Sequence, residues 1–489
     1  MSAPLEIGAR RASADIAVQV VGRFLNLALG VVVTLVIVRA LGARGFGEWS
    51  TILAVTQIAG NLGELGLSQV AVSRAASDPE HEASWLGALL SLRLLLAIPI
   101  AVASAAAVLL IAPSHASQVA GVLVSCTLVL GAPTALNAVF QLRVRNGIST
   151  AILTLNSVMW AAAVFAVAAR SGGIVWFAGV LVAVSALTSA ATIACALRMT
   201  PIRLRGTRHL WRTLMRVGLA VGAAGIFVTF YVKLDQILVL EFAGARQAGL
   251  YGAAYRILDQ VQFVPASVMT TLFPVIASFY PADLNRVREL LQSAAEYLTI
   301  ASLPILAFTV AAARPIMALL FGIQFVAAAP ALPILMAAFV AISFGYLAGS
   351  MVVVVEIQRS FLRFAAVGLL VNAVLNVLLI PRYGFLAAAW ITLLTEVTVM
   401  SLTLHRVMHV LEMRPRVNRL ARTVVAATLT ALATWLAREA GAPLGALVAV
   451  AASSYALALT LLGVLTPADI RKVLREEAWA PGGPPAERP

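Results

Sequence analysis

Apolar runs of about twenty residues, each closed by a short polar or Gly/Pro-containing break, recur along almost the whole chain. Each is long enough to cross a hydrocarbon core of roughly 30 Å. Cutting at the breaks gives spans near 15–38, 48–72, 85–111, 118–140, 150–169, 174–197, 217–240, 249–274, 294–312, 330–355, 362–380, 385–407, 422–437 and 443–465. The pattern predicts an all-α polytopic membrane protein with about fourteen transmembrane helices, and an even count puts both ends on one side. Arg10 and Arg11 precede the first run as they would in a secretion leader, but that run continues to Val38 and many more follow, so it reads as the first span.

Arginine placement tests the count, because a missed or invented helix would scramble the alternation of basic and non-basic loops. Loops on the amino-terminal side carry Arg10 and Arg11, Arg74, Arg143 and Arg145, the run Arg198 to Arg216, Arg286 and Arg288, Arg359 and Arg363, the run Arg406 to Arg422, and finally Arg471, Lys472 and Arg475. Opposite loops hold at most one or two each: Arg39 and Arg44, Arg170, Arg246, Arg314, Arg382 and Arg438. Both termini are therefore expected in the cytoplasm.

Composition agrees with this reading. Of 489 residues, 61% are hydrophobic and 11% charged, against roughly 45–50% and 25% for a soluble domain. The net charge of +14 sits in short loops rather than on a soluble basic domain, which argues against nucleic acid as a partner. Cys126 and Cys195 stand alone in apolar runs without metal-ligand spacing, and no nucleophile motif or phosphate-cradling glycine loop is present. Neither an enzyme, a resident cofactor nor a metal is expected.

One internal repeat is visible. Gly42-Ala43-Arg44-Gly45-Phe46-Gly47-Glu48-Trp49 matches Gly244-Ala245-Arg246-Gln247-Ala248-Gly249-Leu250-Tyr251, with the shared pattern G-A-R-x-x-G-x-aromatic. Both copies fall between the first and second helices of a six-helix block, on the outer side, and Pro99 and Pro304 fall in the third helix of each block. The expected architecture is two six-helix lobes related by a pseudo-twofold axis along the membrane normal, an arrangement of transporters, plus two C-terminal helices. The lobes are residues 1–197 and 217–410, joined by a basic cytoplasmic linker at 198–216; residues 411–489 hold helices 13 and 14 and a tail.

A charge at the centre of a bilayer costs about 2.5–3.5 kcal/mol even on the lenient insertion scale, so intramembrane polar residues mark cavities or pairs. The first span carries Gln19, Arg23 and Asn26, and the second Gln57, Asn61, Glu64 and Ser68, each set on one helical face. Arg23 and Glu64 both lie roughly 12 Å from the cytoplasmic ends of their helices at 1.5 Å per residue, so they can meet. That meeting is either a self-neutralising pair or part of a substrate or ion site. Lys233 and Asp235 on the seventh span point about 200° apart, so one of them is expected to partner another helix. Arg256, Asp259 and Gln260 follow on the eighth. An Arg256–Asp235 bridge is the structural alternative to an anion site. Glu396 in the twelfth span is a candidate cation ligand or a bundle hydrogen bonder, and Arg93 and Glu356 are expected to snorkel at the cytoplasmic interface.

The chain resembles the polysaccharide, O-antigen type flippases, the lipid-linked oligosaccharide branch of the multidrug/oligosaccharidyl-lipid/polysaccharide exporter superfamily. The resemblance rests on Arg39-Ala40-Leu41-Gly42-Ala43-Arg44-Gly45-Phe46-Gly47, Leu65-Gly66-Leu67, Asp235, Gly249-Leu250-Tyr251, Pro315-Ile316 and Leu319-Leu320-Phe321-Gly322 with Phe325. Its most specific stretch is Asn372-Ala373-Val374-Leu375-Asn376, then Ile380-Pro381-Arg382-Tyr383-Gly384, Ala387-Ala388-Ala389, Thr392 and Glu396. It implies a flippase that moves an undecaprenyl-pyrophosphate type glycan across a bacterial inner membrane by alternating access. Related lipid II flippases carry cavity arginines in the first and eighth helices, where Arg23 and Arg256 stand.

On this reading Arg23, Arg256 and Lys233 attract the pyrophosphate, Gln19, Asn26, Gln57, Asn61 and Gln260 line the cavity, and coupling to H+ or Na+ uses Glu64, Asp235, Asp259 or Glu396. Arg23, Lys233 and Arg256 are balanced by Glu64, Asp235 and Asp259, so the sequence does not establish a cationic cavity. The alternatives are a multidrug/cation antiporter of the same fold, which wants acidic, aromatic-lined sites, and a membrane glycan polymerase or ligase, which wants a large outer loop.

Overall fold

The structure, a computed structural model, describes the backbone of residues 3–143, 145–202, 204 and 208–465, with side chains from Val21 onward except those of Arg23 and Val221. Helix follows helix throughout, and no strand occurs among the described residues. Among the described residues, thirteen stretches are long and apolar enough to cross a membrane, the first of them 54 residues long from Phe24 to Ser77. That stretch is two crossings. Gly42 interrupts its helix with φ 65° and ψ 179°, a conformation open to glycine and strained for any other residue.

The described residues thus make fourteen spans. The first span covers residues 3–41 and the second 43–64, continuing past the Leu65–Gly66 break as Leu67–Ser77. The third is Glu82–Ile111, the fourth His115–Gly131 with its extension to Leu142, the fifth Asn146–Ala169 and the sixth Ile174–Leu197. The seventh, Arg208–Ala243, starts inside the stretch expected to be linker. The eighth comprises Ala245–Val261 and Phe263–Phe279, broken where the ring of Pro265 collides with the carbonyl four residues back at Val261. Then come Leu284–Phe321, Ala331–Val354, Gln358–Tyr383, Phe385–Val410, Val417–Glu439 and Leu444–Leu461 as the ninth to fourteenth spans.

Packing repeats between the two halves. The first span packs on the fifth, the third on the fourth, the fourth on the sixth and the fifth on the sixth; six positions on, the seventh packs on the eleventh, the ninth on the tenth, the tenth on the twelfth and the eleventh on the twelfth. The last two spans pack on each other and on the ninth, where Tyr455 donates to the Ile300 carbonyl at 2.9 Å and Arg419 meets Glu296 at 3.0 Å. The core is apolar, but so is much of the outer surface, and several polar side chains are buried between helices. Leu95, Ile98 and Val102 of the third span are exposed, whereas Ser104, Asn372, Asn376 and Thr395 are buried, and Ser125 donates to Ser104 at 3.0 Å. With lipid as solvent, close approach and interhelical hydrogen bonds hold the helices together.

The two repeat copies meet at the end of the bundle opposite Ala3, the far end. Gly244 turns with φ 85° and ψ 167°, like Gly42. The second span then starts against the eighth so closely that a Cβ on Gly47 would overlap the Ala245 carbonyl oxygen, and one on Gly249 the Ala43 carbonyl oxygen. The same end is tied by Arg39, which donates to the Leu319 and Leu320 carbonyls at 2.6 and 3.2 Å, and by Gln247, which accepts from the Phe385 amide at 3.1 Å.

Candidate functional site

Between the Gly47–Gly249 contact and an edge-to-face contact of Phe24 with Phe263, centroids 5.4 Å apart, the two halves enclose cavities with apolar and polar walls. The seventh and eighth spans are an antiparallel hairpin turning at Gly244. Lys233 and Arg256 therefore stand at nearly equal depth, roughly 15–17 Å from that turn at 1.5 Å per residue. Asp259, one turn beyond Arg256, comes within 3.9 Å of both cations. Lys233 also lies 5.3 Å from the Tyr255 ring centroid, a cation–π position. One carboxylate thus faces two cations, in a cavity of about 50 Å³ that Gln57 and Gln236 also line.

Asp235 occupies the opposite face of its helix, as its spacing from Lys233 requires. It is 1% exposed. Asn376 donates to Oδ1 at 2.7 Å, and Thr392 and Tyr251 lie 2.7 and 3.1 Å from Oδ2. The Arg256–Asp235 bridge is therefore absent: the two side chains leave their hairpin on different faces, and Arg256 pairs with Asp259 instead. The second span corrects another expectation. Glu64 forms its ion pair with Arg93 of the third span, so Arg93 does not snorkel, and a Glu64 oxygen lies 3.3 Å from the Ser68 amide at the start of the short helix Leu67–Ser77. The break at Leu65 and Gly66 turns Ser68 off the shared face and Glu64 into a local anchor. The side chains of Arg23 and Gln19 lie outside the described residues.

Of the other expected lining residues, Gln57 and Gln260 border the cavities, Asn61 donates to Thr229 at 2.7 Å, and the Asn26 side-chain oxygen is buried without a hydrogen-bond partner among the described residues. Glu396 borders a cavity of about 460 Å³, together with Tyr231, Tyr255, Tyr346, Gln262 and Ser350. Among the described residues, no cation pairs with Glu396 or Asp235, and no group of three or more His, Cys, Asp or Glu is placed to hold a metal.

Residues without a role in the sequence reading include Asn372, Asn376 and Thr392 around Asp235. Their signal was an i, i+4 polar pair in an otherwise apolar helix. Trp160, which lines the same cavity as Arg256, carried no signal, because tryptophans also anchor lipid-facing positions.

Similar proteins give this geometry a context. The chain is 28% identical over 308 residues to the succinoglycan biosynthesis transport protein ExoT of Rhizobium meliloti (strain 1021), covering 61% of this chain and 60% of that one. It is 27% identical over 169 residues to the probable flippase AglR of Haloferax volcanii, 34% of this chain and 35% of that one. The matches thus span about 60% and about a third of those curated relatives. The fold is similar to that of the lipid II flippase MurJ in an inward closed conformation, with TM-score 0.71 and 11% identity over 94% of this chain and 99% of that one. An inward-facing multidrug resistance MATE family transporter matches with TM-score 0.61 and 14% identity over 82% of this chain and 99% of that one. At those identities the likeness speaks for the fold. A family model described as polysaccharide biosynthesis protein matches residues 12–280, more than half of the chain. The chain is a multi-pass membrane protein that belongs to the polysaccharide biosynthesis protein family.

Proposed function

We propose that the protein is a flippase that carries a lipid-pyrophosphate-linked oligosaccharide across the bacterial inner membrane by alternating access, with both termini in the cytoplasm. The observation that carries this reading is the imbalance at Asp259: among the described residues, Lys233 and Arg256 share one carboxylate inside the membrane. Such a site lowers its energy by taking a second anion, and a guanidinium suits the two-pronged geometry of phosphate. Arg23 remains part of the proposal on its sequence position. The glycan would occupy the cavities between residues 1–197 and 217–410, and the lipid chain would stay in the bilayer. The names of ExoT, AglR and MurJ support the same reading.

The motion of one half against the other is driven either by the membrane potential or by a coupling cation, H+ or Na+, which requires a place to bind. Asp235 and Glu396 offer for it carboxylates with no cation partner among the described residues, and Asp235 has Asn372, Asn376 and Thr392 around it. Proteoliposomes loaded with a fluorescent undecaprenyl-pyrophosphoryl oligosaccharide test the proposal by access of external quencher. The expected outcome is protein-dependent flipping that Arg256→Gln and Lys233→Gln reduce by roughly tenfold or more, as lost charge-assisted contacts of ~1.5–3 kcal/mol require. No flipping by the wild type in either cation gradient overturns it.

A second reading, a multidrug/cation antiporter, is favoured by one feature, the cavity in which Glu396 faces Tyr231, Tyr255 and Tyr346. Exchange of cationic dyes for protons, with lipid-linked glycan left unmoved, is the result that selects it.

A further inference from the structure

Arg256 stands in the wall between two cavities. On its far side from Lys233 lies a separate space of about 240 Å³, bounded by the first, second, fifth, sixth and eighth spans. Trp160 and Gln260 line it, and neither the Trp160 indole N–H nor the Gln260 carboxamide has a hydrogen-bond partner among the described residues. Thr34 adds a hydroxyl, and Gly30 leaves the wall open, since a Cβ there would meet nothing within 4 Å.

An aromatic ring, a carboxamide with no partner and a guanidinium around one small space call for a ligand with both apolar and hydrogen-bonding surface. A lipid chain would strip water from Gln260 and from the side of Arg256 turned to this space and return no hydrogen bond. Drug-sized ligands take roughly 300–1,000 Å³, more than this space holds. A pyranose fits on each count: its C–H face covers an indole, its hydroxyls pair with amide and indole N–H, and its volume is that of a few waters at ~30 Å³ each.

We propose that this cavity is the subsite for the sugar attached directly to the pyrophosphate. The sugar lies against Trp160 and hydrogen-bonds Gln260, and Arg256, reachable from both cavities, holds the phosphate next to it. The inference rests on the flippase reading and deepens it: recognition includes the first sugar, and the charge of the carrier is only part of it.

The test uses the full-length protein in nanodiscs and two probes, undecaprenyl pyrophosphate and undecaprenyl-pyrophosphoryl-glucose, with affinities read by native mass spectrometry. The wild type is expected to bind the glycosylated probe about tenfold more tightly, the ratio set by ~1.4 kcal/mol of added contact. Gly30→Leu, which puts an apolar side chain into the space, and Trp160→Leu, which removes the ring, each bring that ratio to about one while affinity for the sugar-free probe stays within about twofold. Equal affinity of the wild type for the two probes, or a ratio that survives Gly30→Leu, overturns the subsite and leaves the flippase reading standing. Failure of the wild type to bind either probe overturns both.

Discussion

Gly47 and Gly249 hold the start of the second span against the start of the eighth, each glycine facing the backbone of the other's repeat. The contact is reciprocal, Gly47 on Ala245 and Gly249 on Ala43, as a pseudo-twofold axis through the far end requires. An alternating-access cycle must part these helices. Gly249→Ala is expected to favour the parted state, since overpacking costs about 1–3 kcal/mol in the closed one. In a background without Cys126 and Cys195, a Gln57→Cys probe should then label about tenfold faster with an impermeant thiol reagent added on the far side. Unchanged labelling would show that this contact does not gate access.

Glu64 and Arg93 are expected to behave as a structural pair. Breaking one partner of a buried pair costs about 3–5 kcal/mol, and a smaller loss of about 1–3 kcal/mol is expected here because the Glu64 side chain is 36% exposed. Glu64→Gln and Arg93→Gln should each lower melting temperature and yield. The double replacement should recover stability and retain flipping, whereas a double variant that is stable but inactive would assign the pair to transport.

Asp259 has an effect of opposite sign to its neighbours. Removing its charge frees Lys233 and Arg256 from their shared anion, so Asp259→Asn should bind undecaprenyl pyrophosphate several-fold more tightly while losing stability. Weaker binding would mean that Asp259 positions the cations instead of competing for them. Titration of the purified variant in nanodiscs reads the difference.

Asp235 accepts from a carboxamide and lies among hydroxyls, with no cation among the described residues. Asp235→Asn turns part of that acceptor into a donor facing the Asn376 amide. It should cost about 1–3 kcal/mol in stability and abolish the dependence of flipping on the cation gradient. Gradient-dependent flipping in that variant would move coupling to Glu396, for which Glu396→Gln is the matching measurement.

The sequence by itself determined whatever depends on one chain segment at a time. Apolar run length set the number of crossings, and the repeated G-A-R-x-x-G-x-aromatic pattern marked equivalent turns. The two-residue spacing of Lys233 and Asp235 required them to leave their helix on different faces. These are consequences of helix rise and period, which need no neighbour. Only the tertiary structure decided which charges meet. Depth made Arg23 a reasonable partner for Glu64, and only the place of the third span beside the break at Leu65 and Gly66 shows that Arg93 also reaches that carboxylate. Depth equally allowed Arg256 to reach Asp235, but the faces of the hairpin gave Arg256 to Asp259 and surrounded Asp235 with Asn376, Thr392 and Tyr251. Rise per residue sets how deep a side chain lies and helix period sets its azimuth. Which helix stands at that azimuth is settled only when all fourteen pack together.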